Sequence, residues 1–348
     1  MRSNSTLQVF HNLLKGNHAR RQRYRMNINY FRPITLDSII PQHFPDVALF
    51  MQSGGNFVLY KPHDRPFTEQ DRERLSRNNV EMLYIRAGDM EPIADYLETS
   101  LADMLKRQDL RSAAKGRILY QTAVNYVVEV FETPAKMVNL QRCRNLIRNI
   151  MDFIAGEKHA LASLQALIGH NYYIFVHSVQ VTALTLLMHS ELYSLDRDEM
   201  LDVGVGSLLH DIGMIALSND ILNKPDALTD IEYHKVKQHP QKGYEILTEV
   251  GKFNDISLNI VRHHHEKFDG SGYPGMLKGN AIPRSAQVAG ICDTYCAVTT
   301  DRVYRNGMPA EKALEIMQQE AAGAFNPEIF SHFKEIVCTR ELDIERVE

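Results

Sequence analysis

Histidines and aspartates recur through the second half of the chain in groups that are 25 to 33 residues apart. Each group lies in or beside a segment whose apolar residues repeat at helical spacing, and the interval is roughly one helix and one loop. The pattern predicts a helical bundle whose successive helices deliver one or two such side chains to a common centre, as metal sites in bundles do. The side chains concerned are His177, His210, Asp211, His239, His264, His265 and Asp293.

The two aspartates of this series have apolar neighbours. Asp211 ends the run GSLLHD, and Asp293 lies inside VAGICDTYCAV. Burying a carboxylate is costly unless it is paired or binds a metal. Imidazole and carboxylate ligands together suit iron, manganese, zinc and similar cations. The sequence therefore predicts a metal centre inside the bundle.

The chain before residue 134 has a different composition. NFVLYKP (56–62) and EMLYIRA (81–87) have the β-branched and aromatic residues typical of strands. Between them we predict a short helix capped by Thr68, with Leu75 facing inward. The chain is therefore expected to be a multidomain α+β protein. The expected domains are a small α/β regulatory or sensory domain over 1–100, a helical connector over 101–133 and an all-α bundle over 134–348.

Bulk properties exclude several classes of protein. A net charge of −4 and a pI of about 6.4 argue against a non-specific nucleic-acid binder, so no DNA partner is expected. No apolar run approaches the ~18 residues of a membrane span. The four cysteines form no CxxC pair and no regular framework, which indicates reduced thiols and a cytoplasmic protein.

Four motifs resemble those of the HD-GYP family. They are HDIG from His210, ILNKPDALTDIEYHKVKQHPQKG (221–243), HHEKFDGSGYP (264–274), and Asp293 followed by DRVYR (301–305). The family consists of bacterial phosphodiesterases of cyclic di-GMP and is a subgroup of the HD metal-dependent phosphohydrolases. The resemblance covers about residues 170 to 330 and implies an HD-type helical bundle.

The resemblance implies a centre of two divalent metal ions, with iron or manganese expected. His177, His210, Asp211 and Asp293 would hold one ion. The second ion would be held by Asp211, as a bridge, together with His239, His264 and His265. A water bridging the two ions would be acidic enough to supply the nucleophile for phosphodiester hydrolysis. His210 and Asp211 are accordingly expected to be catalytic.

The same resemblance implies contacts to a cyclic dinucleotide. Gly272, without a side chain, would let the backbone approach the ligand, and Tyr273 would stack on a guanine or bond a phosphate. Arg302 and Arg305 would offer guanidinium forks to phosphate or guanine. The acidic residues expected to support the loop or the ligands are Glu266 and Asp269. His263 is not expected to be a ligand.

The chain departs from the family pattern at two positions. Met214 stands where the family usually has a lysine near the scissile phosphate, so one cation is missing from the transition-state environment. Losing one donor of this kind can lower the rate by about 10² to 10³. Tyr173 stands where some members have a glutamate that supports a third metal. We therefore expect two metal ions.

Three functions stay open at this point. The first is hydrolysis of cyclic di-GMP to linear pGpG and onward to GMP, with 3′,3′-cGAMP as a variant substrate. The second is a catalytically weak receptor of cyclic di-GMP, which the loss of the lysine favours and the intact ligand set disfavours. The third is a phosphohydrolase of mononucleotides, which the GYP loop and DRVYR disfavour. A homodimer through the connecting helices or the N-terminal domain is expected by analogy.

Overall fold

The computed structural model describes residues 30–132, 139–157, 160, 173–222, 224, 227–299, 307–320 and 323–341. The chain divides into two compact units, and the division lies between Tyr126 and Val127. The predicted domain boundaries after residues 100 and 133 stay predictions, because a compact unit need not be a domain that folds independently.

The first unit contains a four-stranded sheet. Its strands are β1 (Phe31–Thr35), β2 (Leu49–Ser53), β3 (Asn56–Lys61) and β4 (Met82–Arg86). They lie in the order β1–β4–β2–β3, and each pairing is antiparallel. The sequence predicts β3 and β4 but misses β1 and β2. Pro33 interrupts the pattern of β1, and its missing N–H is tolerated because β1 is an edge strand.

Helices complete this unit. The helix predicted between β3 and β4 is α1 (Glu69–Arg77), and Thr68 and Asp71 close a capping box at its start. Leu75 is buried, as predicted. Two longer helices follow, α2 (Met90–Lys106) and α3 (Ser112–Glu132). The division between the two units falls inside α3.

In the described residues, the second unit is helical and contains no strand, as predicted. Its helices are α4 (Leu140–Gly156), α5 (Tyr173–Leu192), α6 (Arg197–Leu208), α7 (Asn219–Leu222), α8 (Asp230–Val236), α9 (His239–Val250), α10 (Asp255–His263), α11 (Arg284–Thr299), α12 (Ala310–Glu320) and α13 (Pro327–Glu341). None of the helices in the described ranges combines the length and the apolar character that crossing a bilayer requires.

Apolar residues repeat at helical spacing over residues 199–217, but this segment is not one continuous helix. The helix α6 ends at Leu208, His210 and Asp211 form a turn, and a 3₁₀ helix follows over Ile212–Ala216. The break allows the 3₁₀ helix to pack against α9. It also gives His210 and Asp211 different directions from those of a continuous helix.

Two helices form the interior of the second unit. Every residue of α6 from Met200 to Leu208 is buried, and so is every residue of α11 from Ala286 to Cys296. Helices that are buried on all sides lie at the centre of a bundle. Both α6 and α11 pack against α5 and α10. The elements that carry the predicted ligands are therefore neighbours.

A glycine allows the close crossing of α6 and α10. A Cβ at Gly206 would lie 2.8 Å from the Cα of Ser257 and 2.9 Å from its carbonyl oxygen. The Ser257 hydroxyl donates a 2.6 Å hydrogen bond to the carbonyl of Asp202. The two backbones therefore have no room to accept a side chain between them.

We expect Gly206→Ala to lower the free energy of unfolding by about 1–3 kcal/mol, because overpacking a backbone contact forces the helices apart. Urea denaturation followed by circular dichroism measures the change. Gly156→Ala is the control, since a Cβ at Gly156, in the same unit, would meet nothing within 4 Å. Equal stability of the two variants would contradict the close crossing.

Candidate metal centre

The seven predicted side chains meet in two adjacent groups. One group contains His177, His210 and Asp293, and the ligand atoms lie within 4.8 Å of one another. The other meets the same criterion, and its members are Asp211, His239, His264 and His265. The side chains come from α5, the turn after α6, the start of α9, the end of α10 and the middle of α11. Their assignment as metal ligands stays a prediction, but their convergence is a property of the fold.

Asp211 faces both groups. Its Oδ1 lies 3.1 Å from Nε2 of His239 and 3.9 Å from Nε2 of His264. Its other oxygen, Oδ2, lies 3.3 Å from Nε2 of His210. A carboxylate in this position can bind one cation with each oxygen, as the predicted bridge requires.

Asp293 has a similar arrangement, which the sequence did not predict. Its Oδ1 lies 2.9 Å from Nε2 of His177 and 3.9 Å from Nε2 of His210. Its Oδ2 lies 3.9 Å from Nδ1 of His265, in the other group. Both carboxylates therefore connect the two groups.

Backbone carbonyls orient three of the imidazoles. Nδ1 of His210 lies 2.8 Å from the carbonyl oxygen of Ser207, and Nδ1 of His239 lies 2.8 Å from that of Val236. In His264, Nδ1 lies 3.0 Å from the Val261 carbonyl. A carbonyl can only accept, so each Nδ1 carries the proton and donates it. The lone pair of each neutral ring is then on Nε2, which faces the centre of the site.

This arrangement leaves inward-facing lone pairs that need a cation. Nε2 of His239 and Nε2 of His264 lie 3.2 Å apart, and neither carries a proton in the neutral tautomer. In the neutral ring, Nε2 of His210 is a third such lone pair, and it is buried 3.3 Å from Oδ2 of Asp211. Buried acceptors without a donor are costly, and a divalent cation would satisfy them. The residues present therefore fit two divalent metal ions.

The protonation states of most groups also suit metal binding. Burial raises the pKa of Asp211, but His210 and His239 outweigh it and hold this pKa well below its usual range. Burial and the nearby His210 and His239 lower the pKa of His264 to about 3. Burial, with His264 beside it, holds the pKa of His265 well below its usual range. At neutral pH the carboxylate is ionised and these two imidazoles are neutral, as metal coordination requires.

Glycines allow the ligand segments to approach one another. A Cβ at Gly213, two residues after Asp211, would collide with the carbonyl oxygen of His239. A Cβ at Gly290, three residues before Asp293, would lie 2.5 Å from the carbonyl oxygen of His264. The sequence analysis missed both roles. Their signal was a glycine close to a ligand inside an apolar segment, where glycine lowers helix stability.

The loop after the paired histidines is braced by its acidic residues. Glu266 accepts hydrogen bonds from the backbone of Gly275 at 2.6 Å and of Leu277 at 3.0 Å. Asp269 accepts one from the backbone of Ser271 at 2.9 Å. Neither carboxylate belongs to the two groups of candidate ligands, and neither does His263. These contacts agree with the supporting role expected for Glu266 and Asp269.

Gly272 and Tyr273 lie against the paired histidines. A Cβ at Gly272 would collide with the backbone of Glu266 and Lys267, so this glycine is required for packing within its own loop. The Tyr273 ring stacks on His265, with ring centroids 4.8 Å apart and an angle of 27° between the planes. The close backbone approach that the structure shows at Gly272 is to the chain itself, and the contact of Gly272 with a ligand stays a prediction.

The remaining predicted positions have different outcomes. Arg302 and Arg305 lie outside the described residues, and so does the side chain of Tyr173. Met214 is partly buried in the 3₁₀ helix after Asp211. Lys224 donates to Glu232, which also closes the capping box of α8. Its ammonium is thus already engaged.

Comparisons with known proteins agree with this site. Residues 150–329 match the HD domain family. The chain is 32% identical over 286 residues to the cyclic di-GMP phosphodiesterase PA4108 of Pseudomonas aeruginosa, a match covering 78% of this chain and 68% of that protein. It is 35% identical over 158 residues to 3′3′-cGAMP-specific phosphodiesterase 3 of Vibrio cholerae, covering 45% of this chain and 34% of that protein.

A solved structure has a similar fold. Bd1817, an HDG"Y"P protein from Bdellovibrio bacteriovorus, superposes with a TM-score of 0.64 and 18% sequence identity. The match covers 88% of this chain and 99% of that chain. At this identity the likeness concerns the fold alone.

Metal binding is expected to displace a proton from His210. Burial lowers the pKa of His210, but Asp211 and Asp293 outweigh it and raise this pKa to about 9. The metal-free ring is therefore protonated at neutral pH, and a metal must displace that proton. The apparent affinity for Mn²⁺ should rise by up to about tenfold per pH unit from about pH 6 to about pH 8.

Calorimetric titrations of the metal-free protein across this range, in buffers of different ionisation enthalpy, measure both the affinity and the protons released. His234→Gln, which removes an exposed histidine outside the two groups, should leave the slope unchanged. A wild-type affinity that does not depend on pH would contradict the protonated state of His210.

Proposed function

This chain belongs to the HD-GYP family of cyclic di-GMP phosphodiesterases, and from that membership we propose that it hydrolyses cyclic di-GMP to linear pGpG and onward to GMP. The observation that supports this most strongly is the pair of carboxylates, Asp211 and Asp293, whose oxygens face both groups of imidazoles. Two cations held side by side in this way suit phosphodiester hydrolysis, in which attacking and leaving oxygens both carry charge.

The metal ions would be two divalent cations, iron or manganese. His177, His210 and Asp293 would hold one, and His239, His264 and His265 the other, with Asp211 between them. Bound at these positions, the ions would supply a water of lowered pKa and positive charge next to the phosphoryl group. A third ion is not expected, because position 173 is a tyrosine.

The chain's own groups prepare the site for this chemistry. The carbonyls of Ser207, Val236 and Val261 hold three imidazoles with their lone pairs inward, so little reorientation is needed. Burial of the ligands excludes water and strengthens every charge interaction inside the site. Tyr273 covers His265 on one side and is the proposed contact to a guanine or a phosphate, together with Gly272, Arg302 and Arg305.

Two alternatives have specific support. Met214 in place of a lysine favours a weakly active protein that acts mainly as a receptor of cyclic di-GMP. The similarity to a relative named as a 3′3′-cGAMP-specific phosphodiesterase favours the hybrid cyclic dinucleotide as substrate. A cytoplasmic location and a homodimer through the connecting helices or the first unit stay predictions.

The test of the proposed function is turnover of cyclic di-GMP by the purified chain. Loaded with Mn²⁺ or, without oxygen, with Fe²⁺, the wild type is expected to release linear pGpG that is resolved by chromatography. Asp211→Ala should lower the rate by at least about 10³, because both metals lose a ligand. Asp230→Ala, at an exposed carboxylate of α8, is the control and should retain activity.

Other outcomes identify the alternatives. Tight binding of cyclic di-GMP without product indicates the receptor. A kcat/KM that is higher for 3′,3′-cGAMP than for cyclic di-GMP, measured in parallel, indicates the hybrid substrate. Hydrolysis of dGTP with no action on either cyclic dinucleotide would contradict the proposal.

Restoring the missing cation should accelerate the reaction. Met214→Lys places an ammonium three residues after Asp211, and we expect kcat to rise by at least about tenfold, toward the 10² to 10³ that one such donor contributes. Met214→Leu, which keeps an uncharged side chain of similar volume, is the control and should change kcat by less than about twofold. A kcat of Met214→Lys no higher than that of the control would contradict the role assigned to this position.

A further inference from the structure

The loss of the lysine at position 214 raises the question of which cation near the site can meet an anionic ligand. Several lysines lie on the segments that carry the candidate ligands, and three of them differ in their contacts. Lys224 is engaged by Glu232. The Lys267 ammonium lies 4.9 Å from the centroid of the Phe325 ring, in the segment before α13, and interacts electrostatically with the candidate ligand Asp293, so it belongs to the metal centre itself. The third, Lys237, lies between α8 and α9, two residues before His239.

The position of Lys237 is determined by the turn that orients a candidate ligand. The carbonyl of Val236 accepts the hydrogen bond from Nδ1 of His239, and Lys237 is the next residue after Val236. The Cα atoms of Lys237 and His239 are therefore at most about 7 Å apart. The hydrogen bond between His239 and the Val236 carbonyl therefore holds the backbone just before Lys237 in place.

Two tyrosine rings hold the ammonium of Lys237. Its Nζ lies 4.9 Å from the centroid of the Tyr233 ring and 5.5 Å from that of the Tyr273 ring. His265 already covers one face of Tyr273, so the ammonium lies over the other face. The order of layers is ammonium, Tyr273 ring and His265 ring.

We propose that Lys237 binds the second phosphodiester of a cyclic dinucleotide, the one that is not cleaved. This rests on the proposed function. The scissile phosphodiester must meet the metal-binding edges of the imidazoles, whereas the Tyr273 ring lies between the Lys237 ammonium and the imidazole of His265. A cyclic dinucleotide has two phosphodiesters in one ring, so its other phosphate extends away from the metals toward this cation.

To bind a phosphate, the Lys237 ammonium must move away from the two tyrosine rings, and the strength of its contacts with them allows this. Cation–π contacts at a partly exposed position are weak compared with an ion pair to a phosphate. The ammonium can therefore leave the tyrosines for a phosphate when the ligand arrives. The Tyr233 and Tyr273 ring faces that it leaves become available for stacking on a guanine, since every base offers a π face. Lys237 is thus a residue that positions the substrate and favours dinucleotides over simple phosphodiesters.

Steady-state kinetics of Lys237→Gln with two substrates tests this role. For cyclic di-GMP we expect KM to rise about tenfold and kcat to change by less than about twofold, because the lost contact binds the ground state and the transition state alike. For bis(p-nitrophenyl) phosphate, which has a single phosphodiester, KM should stay within about twofold. Lys237→Arg keeps the charge and should restore most of the affinity for cyclic di-GMP.

The matched control is Lys235→Gln, which removes an exposed lysine of α8 two residues before Lys237 and should leave both substrates unaffected. Metal content and the thermal midpoint show whether Lys237→Gln has altered the site itself. An unchanged KM for cyclic di-GMP, a loss confined to kcat, or an equal rise in KM for both substrates overturns the inference.

A failure of the proposed function would look different. In that case the wild type itself does not turn over cyclic di-GMP, whatever residue occupies position 237. Calorimetric binding of cyclic di-GMP to the metal-loaded wild type and Lys237→Gln then tests the lysine alone. An affinity about tenfold lower in the variant supports the inference, and equal affinity or no binding overturns it.

Discussion

Five imidazoles and two carboxylates can share a buried volume only if each inward-facing lone pair meets a proton or a cation. The backbone carbonyls of Ser207, Val236 and Val261 hold the proton of three neutral imidazoles on Nδ1, so these protons cannot relieve the repulsion between the inward-facing lone pairs. In the absence of metal, a second proton on His210 relieves part of this repulsion, because Asp211 and Asp293 both lie nearby and raise the pKa of His210. Metal ions would relieve it in full, and the rest of the second unit is arranged around this requirement.

That requirement explains why small residues lie beside the ligands. Within each of the two groups, ligand atoms from three elements of the fold lie within 4.8 Å of one another, so the segments that carry them must approach closely. Gly213 and Gly290 remove the side chains that would separate the backbones, and Gly206 does the same one layer away at the crossing of α6 and α10. The packing of the bundle and the geometry of the site therefore depend on the same positions.

The sequence predicted those features that follow from local pattern and residue type. The convergence of the candidate ligands followed from histidine and aspartate in apolar segments spaced by one helix and one loop, and Thr68 and Leu75 placed α1 correctly. It missed β1, whose pattern Pro33 interrupts, and the end of α6 at Leu208, which depends on the non-local contact between Gly213 and His239. Lys237 gave no signal either, because a lysine just after a short helix cannot be told from a solvated lysine until the rings beside it are known.

The two carboxylates have a consequence for how the site would fill. Asp211 and Asp293 each direct one oxygen to one group of imidazoles and the other oxygen to the second group. An ion in either group would therefore immobilise the very carboxylates that the neighbouring ion needs, and the ordering entropy would already be lost when that ion arrives. The two positions would therefore not fill independently of each other.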